Sequence, residues 1–309
     1  MLIRYGTRRK FFTFPALAVL VALLLAACGS SSTPSTNSTS SSEAQNVPVN
    51  ANATVTETPS TSGGSVAVAT LKSAPTGSIT LNWNHTTKML TVQTTLSGLA
   101  PNSVHPAQLY QGSCNEQGKM LYALNKLVAD AHGMADVTTN LSLPEGIPAN
   151  GWYMNVHNGP GLAPADQAAS IACSNITAHD TALKNGQSVE IPLQSGATIS
   201  PNENAGGVVH LSIVENALKV QLVMTGLEPN SQHVAHIHAG SCAKQGAVVY
   251  HLPVIKADSA GKATVTTTIP NVSTIPATGW YVNVHRGTDL STQTGFDPIA
   301  CGDVVLSNA

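Results

Sequence analysis

The sequence predicts an all-β protein, two tandem β-sandwich domains set behind a signal peptide and a disordered stalk. Three observations predict it. Residues recur at one constant spacing: His105 and His233, Cys114 and Cys242, Gly151 and Gly279, His157 and His285, and Cys173 and Cys301 are each 128 apart. Within each copy, short stretches rich in Val, Thr, Ile and Leu alternate with polar residues and are broken by Gly, Pro, Asn and Asp, the period-two pattern of half-buried strands. No window of helical period competes, so sheet is expected to pack on sheet.

Arg4, Arg8, Arg9 and Lys10 precede an apolar run from Phe11 to Leu25 that closes on Leu25-Ala26-Ala27-Cys28. That is the layout of a signal peptide, and the run is short for a permanent span and has no stop-transfer flank. The small residues before Cys28 resemble a lipobox, which implies that residues 1–28 form a lipoprotein signal ending at an acylated Cys28. Thr7-Arg8-Arg9-Lys10-Phe11-Phe12 also looks like a twin-arginine signal, so both Sec and twin-arginine export stay open. Residues 29–63 are mostly Ser, Thr, Asn and Pro, a composition that buries too little to offset the entropy of ordering. They read as a stalk, and the chain is expected outside the cytoplasm, held to the cell membrane by lipid. Charged residues make up 10% of the chain and the net charge is −2. No clustered basic surface is available for phosphates, so no nucleic-acid partner is expected.

The copies are expected over residues 64–178 and 186–309. Gly98-Leu99-Ala100-Pro101-Asn102-Ser103 recurs as Gly226-Leu227-Glu228-Pro229-Asn230-Ser231, and the stretch ending Trp152-Tyr153-Met154-Asn155-Val156-His157 recurs as Trp280-Tyr281-Val282-Asn283-Val284-His285. Leu218, Val220, Leu222 and Met224 put apolar groups on one strand face. Of the five cysteines, Cys28 serves the anchor, and the four others in an exported chain suggest two disulfides. A unit duplicated whole carries its own bridge, which pairs Cys114 with Cys173 and Cys242 with Cys301. Closing loops of this size stabilises each domain by roughly 4 kcal/mol in the chain-entropy account.

The segment His233-Val234-Ala235-His236-Ile237-His238-Ala239-Gly240-Ser241-Cys242 is the richest chemically. Residues two apart on a strand point the same way, so His236 and His238 can meet one ion. A His-x-His alone is common on β surfaces, but His251 follows the Cys242 turn and His285 ends the Tyr281–Val284 strand. Neutral imidazoles suit copper or zinc; calcium and magnesium prefer oxygen. His85, His132, His179 and His210 share no pattern and read as surface or turn residues.

On these motifs the second copy resembles the copper/zinc superoxide dismutase family, and also the chordin-type (CHRD) repeat domain found in bacterial lipoproteins. The resemblance covers much of residues 225–304. It rests on His233 to Cys242, on His251 to Pro253, on Ala257 to Ala263, on His285, Gly287 and Asp289, and on Ala300-Cys301-Gly302. It implies a Greek-key sandwich with copper ligands His236, His238, His251 and His285, and a structural histidine at His233. It further implies a carboxylate, Asp289, that orients a ligand imidazole, and a catalytic proton donor at His251. The Cys242–Cys301 bridge also falls where the family has its own. The loop that carries further zinc ligands in the family is missing between His251 and Ala257, so zinc is not expected. Pro298 replaces the arginine that guides superoxide, and Arg286 reads as solvated. The first copy has Gln108, Tyr110, Ala123 and His157 at the ligand positions, with Gly161 in place of Asp289, so it is expected to hold no metal. His105 persists there as the structural histidine. Three readings stay open: a copper-only superoxide dismutase, a copper carrier without turnover, and a chordin-like structural or adhesive module without metal.

Overall fold

The computed structural model describes residues 65–146, 151–176, 186–198 and 200–307. The expected signal peptide, acylated Cys28 and stalk lie outside the described residues, as does His179. The chain runs through β1 (Val66–Ser73), β2 (Thr76–Asn84), β3 (Met89–Ser97), β4 (Val104–His105), β5 (Ala107–Ser113), β6 (Glu116–Ala123), β7 (Leu127–Val128), β8 (Ala135–Ser142) and β9 (Trp152–His157). The short helix α1 (Ala165–Ala168), β10 (Ser170–Ile176) and β11 (Val189–Gln194) follow. Then come β12 (Gly206–Val214), β13 (Ala217–Thr225), β14 (Gln232–His233), β15 (Ala235–Gly240), β16 (Gln245–His251), β17 (Ile255–Lys256) and β18 (Ala263–Pro270). The last elements are β19 (Trp280–His285), the short helix α2 (Gln293–Phe296) and β20 (Pro298–Leu306).

These strands form two curled eight-stranded sheets, ordered β6-β5-β9-β10-β11-β2-β3-β8 and β16-β15-β19-β20-β1-β12-β13-β18, with the two-residue ladders β4·β7 and β14·β17 beside them. The protein is an all-β sandwich, and the two sheets have one strand order, position for position. Alternation is what curls each sheet onto its core. Along β13, Leu218, Val220, Leu222 and Met224 are buried while the residues between them face water. Each sheet encloses its own apolar cluster, one centred on Ile79, Leu90, Leu109 and Met154, the other on Leu211, Leu222, Ile237 and Val282. Burying a Leu or Ile side chain of this kind stabilises by about 1.5–3 kcal/mol.

The strand pairing crosses the boundaries expected at 64–178 and 186–309. β1 lies in the second sheet, between β20 and β12, and its Ala67, Ala69 and Leu71 enter the second core. β11 lies in the first sheet, next to β10 and β2, and gives Val189, Ile191 and Leu193 to the first core. The first sheet thus takes β11 in place of β1, and the second takes β1 in place of β11. A physical reason lies in the Ala74-Pro75 link between β1 and β2. A two-residue hairpin needs a type I′ turn, which the fixed negative φ of Pro75 forbids, or a type II′ turn, which asks Ala74 for a positive φ. The chain leaves the sheet instead.

Both disulfides form as expected, Cys114–Cys173 and Cys242–Cys301. Each ties the turn after β5 or β15 to the strand that ends the same sandwich half. The turn itself depends on glycine: Gly240 has φ 107°, and a Cβ there would stand 2.4 Å from the Lys244 carbonyl oxygen; Gly112 repeats this with φ 110° and 2.5 Å from Glu116. Among the described residues, no helix is long and apolar enough to cross a membrane.

Candidate metal centre

β15 carries His236 and His238 on one face, while Ala235 and Ile237 point into the second core. The neighbouring β19 ends at His285, whose N–H donates to the Val234 carbonyl at 2.9 Å. His236, His238 and His285 thus converge: each offers a nitrogen, and those nitrogens lie within 4.8 Å of one another. All three side chains are buried. Nδ1 of His236 lies 3.3 Å from Nε2 of His285. His238 stacks on Tyr281, and its Nε2 is buried with no hydrogen-bond partner.

His251 stands apart from this trio. It lies directly across from His236 in the β15·β16 ladder, with ring centroids 4.7 Å apart, but it is exposed and outside the group of converging nitrogens. The four expected ligands therefore resolve into three buried imidazoles and one at the solvent edge.

Two backbone carbonyls orient the trio. Nδ1 of His238 donates to Gly246 at 3.0 Å, and Nδ1 of His285 donates to Phe296. A carbonyl only accepts, so Nδ1 holds the hydrogen in both rings and Nε2 keeps its lone pair. Burial lowers all three imidazole pKa values, to about 4 for His236 and His285, and the neighbouring histidines lower His236 further. The three rings are neutral at neutral pH, the form that binds a metal.

Asp289 does not orient an imidazole. Its carboxylate accepts from the N–H and hydroxyl of Ser291 and shapes the turn before α2, and the Phe296 carbonyl holds His285 instead. Arg286 is not free in solvent either: half-buried, it pairs with the buried Glu203 at 2.6 Å and donates to the Pro201 carbonyl. Burial pushes the Glu203 carboxyl up to about 8, and the Arg286 guanidinium beside it keeps it from rising further. With its charge engaged there, Arg286 does not take the place of the guiding arginine that Pro298 replaces.

His233 and His105 are both fully buried and make matching bonds. Nδ1 of His233 donates to the His285 carbonyl at 3.0 Å and its Nε2 meets the Ser231 hydroxyl at 2.7 Å. His105 repeats both bonds, to the His157 carbonyl at 2.9 Å and the Ser103 hydroxyl at 2.7 Å. The ladder is interrupted at Val234, so His233 lies on the two-residue strand β14, apart from His236 and His238 on β15.

The residues that sequence reasoning missed are Gly246 and Phe296, whose carbonyls fix the imidazoles, and Asn283, paired with His236 across the β15·β19 ladder with its amide buried and unpartnered. The copied Tyr-x-Asn-x-His of the β19 strand was the one available signal for Asn283. Backbone acceptors leave no such trace.

The donor set fits a borderline or soft cation: neutral imidazoles, an orphaned buried Nε2, and fixed tautomers. No curated protein matches this chain. Residues 181–289, the stretch that contains His233, His236, His238, His251, His285 and Asp289, match the CHRD domain family.

Proposed function

We propose that this chain is an extracytoplasmic, lipid-anchored protein whose second sandwich binds copper through His236, His238 and His285, with His251 at the exposed edge. The observation that supports this most is the convergence of three buried, neutral imidazoles, one of them with an orphaned Nε2. Divalent copper outranks zinc for such nitrogen sets, and nothing in the trio adds the carboxylate of a mixed site. When bound, copper would supply one-electron redox chemistry of the kind that dismutates superoxide. The chain's own part is to hold the ligand tautomers, to exclude water at the trio, and to offer His251 as the group that exchanges a proton with solvent. Since Arg286 is paired with Glu203, it is not free to steer an anion to the site, and any superoxide turnover is expected to be modest.

The CHRD match favours a second reading, a chordin-like structural or adhesive module with no metal. Elemental analysis of the full chain purified without added metal, followed by titration with Cu(II), Cu(I) and Zn(II), separates the two. One copper per chain supports the proposal, and a superoxide assay on the loaded protein then divides enzyme from carrier. Absence of any tight metal leaves the module. In cells, Cys28→Ser is expected to release the chain or block its processing; a cleaved Ser variant that stays on the membrane would refute the anchor.

A further inference from the structure

The carbonyls that orient two of the three imidazoles belong to segments that the first sandwich grips. Phe296 is the last residue of α2, and α2 is held from its first residue. The Gln293 side-chain amide donates to the Val104 carbonyl and the Asn158 carbonyl, each at 2.9 Å, and its oxygen accepts from Val104 N–H at 3.1 Å. All the hydrogen-bonding groups of that amide face the first sandwich except one oxygen lone pair. Asp297, next in the chain, accepts from Ala100 N–H at 3.3 Å, and Thr294 donates to Asp166 at 3.0 Å. The other orienting carbonyl, Gly246, follows Gln245. The buried Gln245 side chain donates to the Leu99 carbonyl at 2.8 Å, and its backbone exchanges bonds with His132, N–H to carbonyl and carbonyl to Nδ1, both at 3.2 Å.

The grip is lopsided. The first-sandwich counterpart of Gln293 is Ala165, and that of Gln245 is the exposed Gln117. His157 keeps the bond of its own ring, Nδ1 to the Ala168 carbonyl at 2.7 Å, on a helix that the second sandwich reaches through the exposed Thr294–Asp166 bond and not through a buried amide.

We propose that the first sandwich acts as a positioning body for the metal centre of the second: Gln293 and Gln245, anchored on the first sandwich, set the Phe296 and Gly246 carbonyls that fix His285 and His238. Both are positioning residues, since neither touches the site itself. Outer partners of metal ligands matter because they lock ring orientation and tautomer, and their loss typically weakens metal binding by about 10–100-fold.

This inference rests on the copper reading, and its test is split so that the two fail separately. In the metal-free full chain at neutral pH, long-range proton–nitrogen spectra of the imidazoles report the tautomers directly. The parent is expected to show His238 and His285 with hydrogen on Nδ1. Gln293→Ala should mix the tautomers of His285, Gln245→Ala those of His238, and Gln117→Ala should change neither. Gln293→Met and Gln245→Met keep the side-chain volume and serve if alanine unfolds the chain. Copper titration of the same proteins should weaken by about 10–100-fold in each clamp variant, with a changed Cu(II) resonance spectrum. Folded clamp variants with parental tautomers would overturn the inference whether or not copper binds. Parental copper affinity in the double variant would overturn it too. A parent that binds no copper sinks the metal reading alone, and the tautomers still decide the clamp.

Discussion

Two faces with one backbone plan differ in whether their inward lone pairs already have partners. In the second sandwich His236, His238 and His285 converge, and Nε2 of His238 is left with none. In the first sandwich Tyr110 stands where His238 stands, and its hydroxyl reaches the Gln108 oxygen and lies 3.2 Å from Nε2 of His157. The Gln108 amide nitrogen in turn meets the Met120 sulfur at 3.0 Å. At the positions matching the second-sandwich histidines, the first sandwich thus has side chains that bond one another. Nearby, Asn155 is satisfied by Ser170, whereas Pro298 occupies the Ser170 position of the second sandwich and Asn283 has no partner. The comparison teaches that the same sheet plan can leave a buried imidazole nitrogen, Nε2 of His238, without a partner or fill the matching positions with side chains that bond one another.

The largest expected effect tests the comparison in both directions. His285→Ala and His238→Ala should each lose tight copper by more than the roughly 100-fold that an outer partner is worth, whereas His157→Ala should leave copper unchanged. Conversely, Gln108→His, Tyr110→His and Ala123→His together should raise the copper content of the chain to two, read by elemental analysis after dialysis. Copper that survives loss of His285 would place the site elsewhere.

Next in size come the two cores. Ile237 and Leu109 are both fully buried at matching positions, so Ile237→Ala and Leu109→Ala should each destabilise by about 2–5 kcal/mol. Because β1 and β11 tie each core to the other half of the sequence, calorimetry should show one shared transition moving in both variants. Two separate transitions would mean that the exchanged strands do not couple the sandwiches.

The smallest expected effects belong to the structural histidines. His105→Ala and His233→Ala each strand a buried carbonyl, at a cost of about 1–3 kcal/mol, and His233→Ala should keep its copper. Burial holds His105 at about 4 against the ordinary 6.5. Below the ordinary value the unfolded chain takes up a proton that the folded one refuses, so His105 contributes stability above about 6.5 that is lost as the pH falls toward about 4. From pH 7 to pH 5 this amounts to about 2 kcal/mol. Urea unfolding of His105→Ala should therefore show a smaller deficit at pH 5 than at pH 7.5, and equal deficits would argue against a neutral, buried imidazole.

The sequence by itself determined the all-β class, the 128-residue spacing of matching motifs, both disulfides and the shared face of His236 and His238. Each is a matter of local period or of identity at matching positions, and strand parity carries such information along the chain. Only the tertiary structure decided that β1 and β11 change places, that Arg286 turns to Glu203, that Asp289 serves Ser291, and that Gly246 and Phe296 hold the imidazoles. The Ala74-Pro75 link hinted at the first, but its outcome depends on strands far along the chain. A hydrogen bond to a backbone carbonyl places no demand on that residue's side chain, and a partner some eighty residues away is chosen by packing. Local sequence therefore sets which groups face inward, and only the packed sheets decide which of them meet.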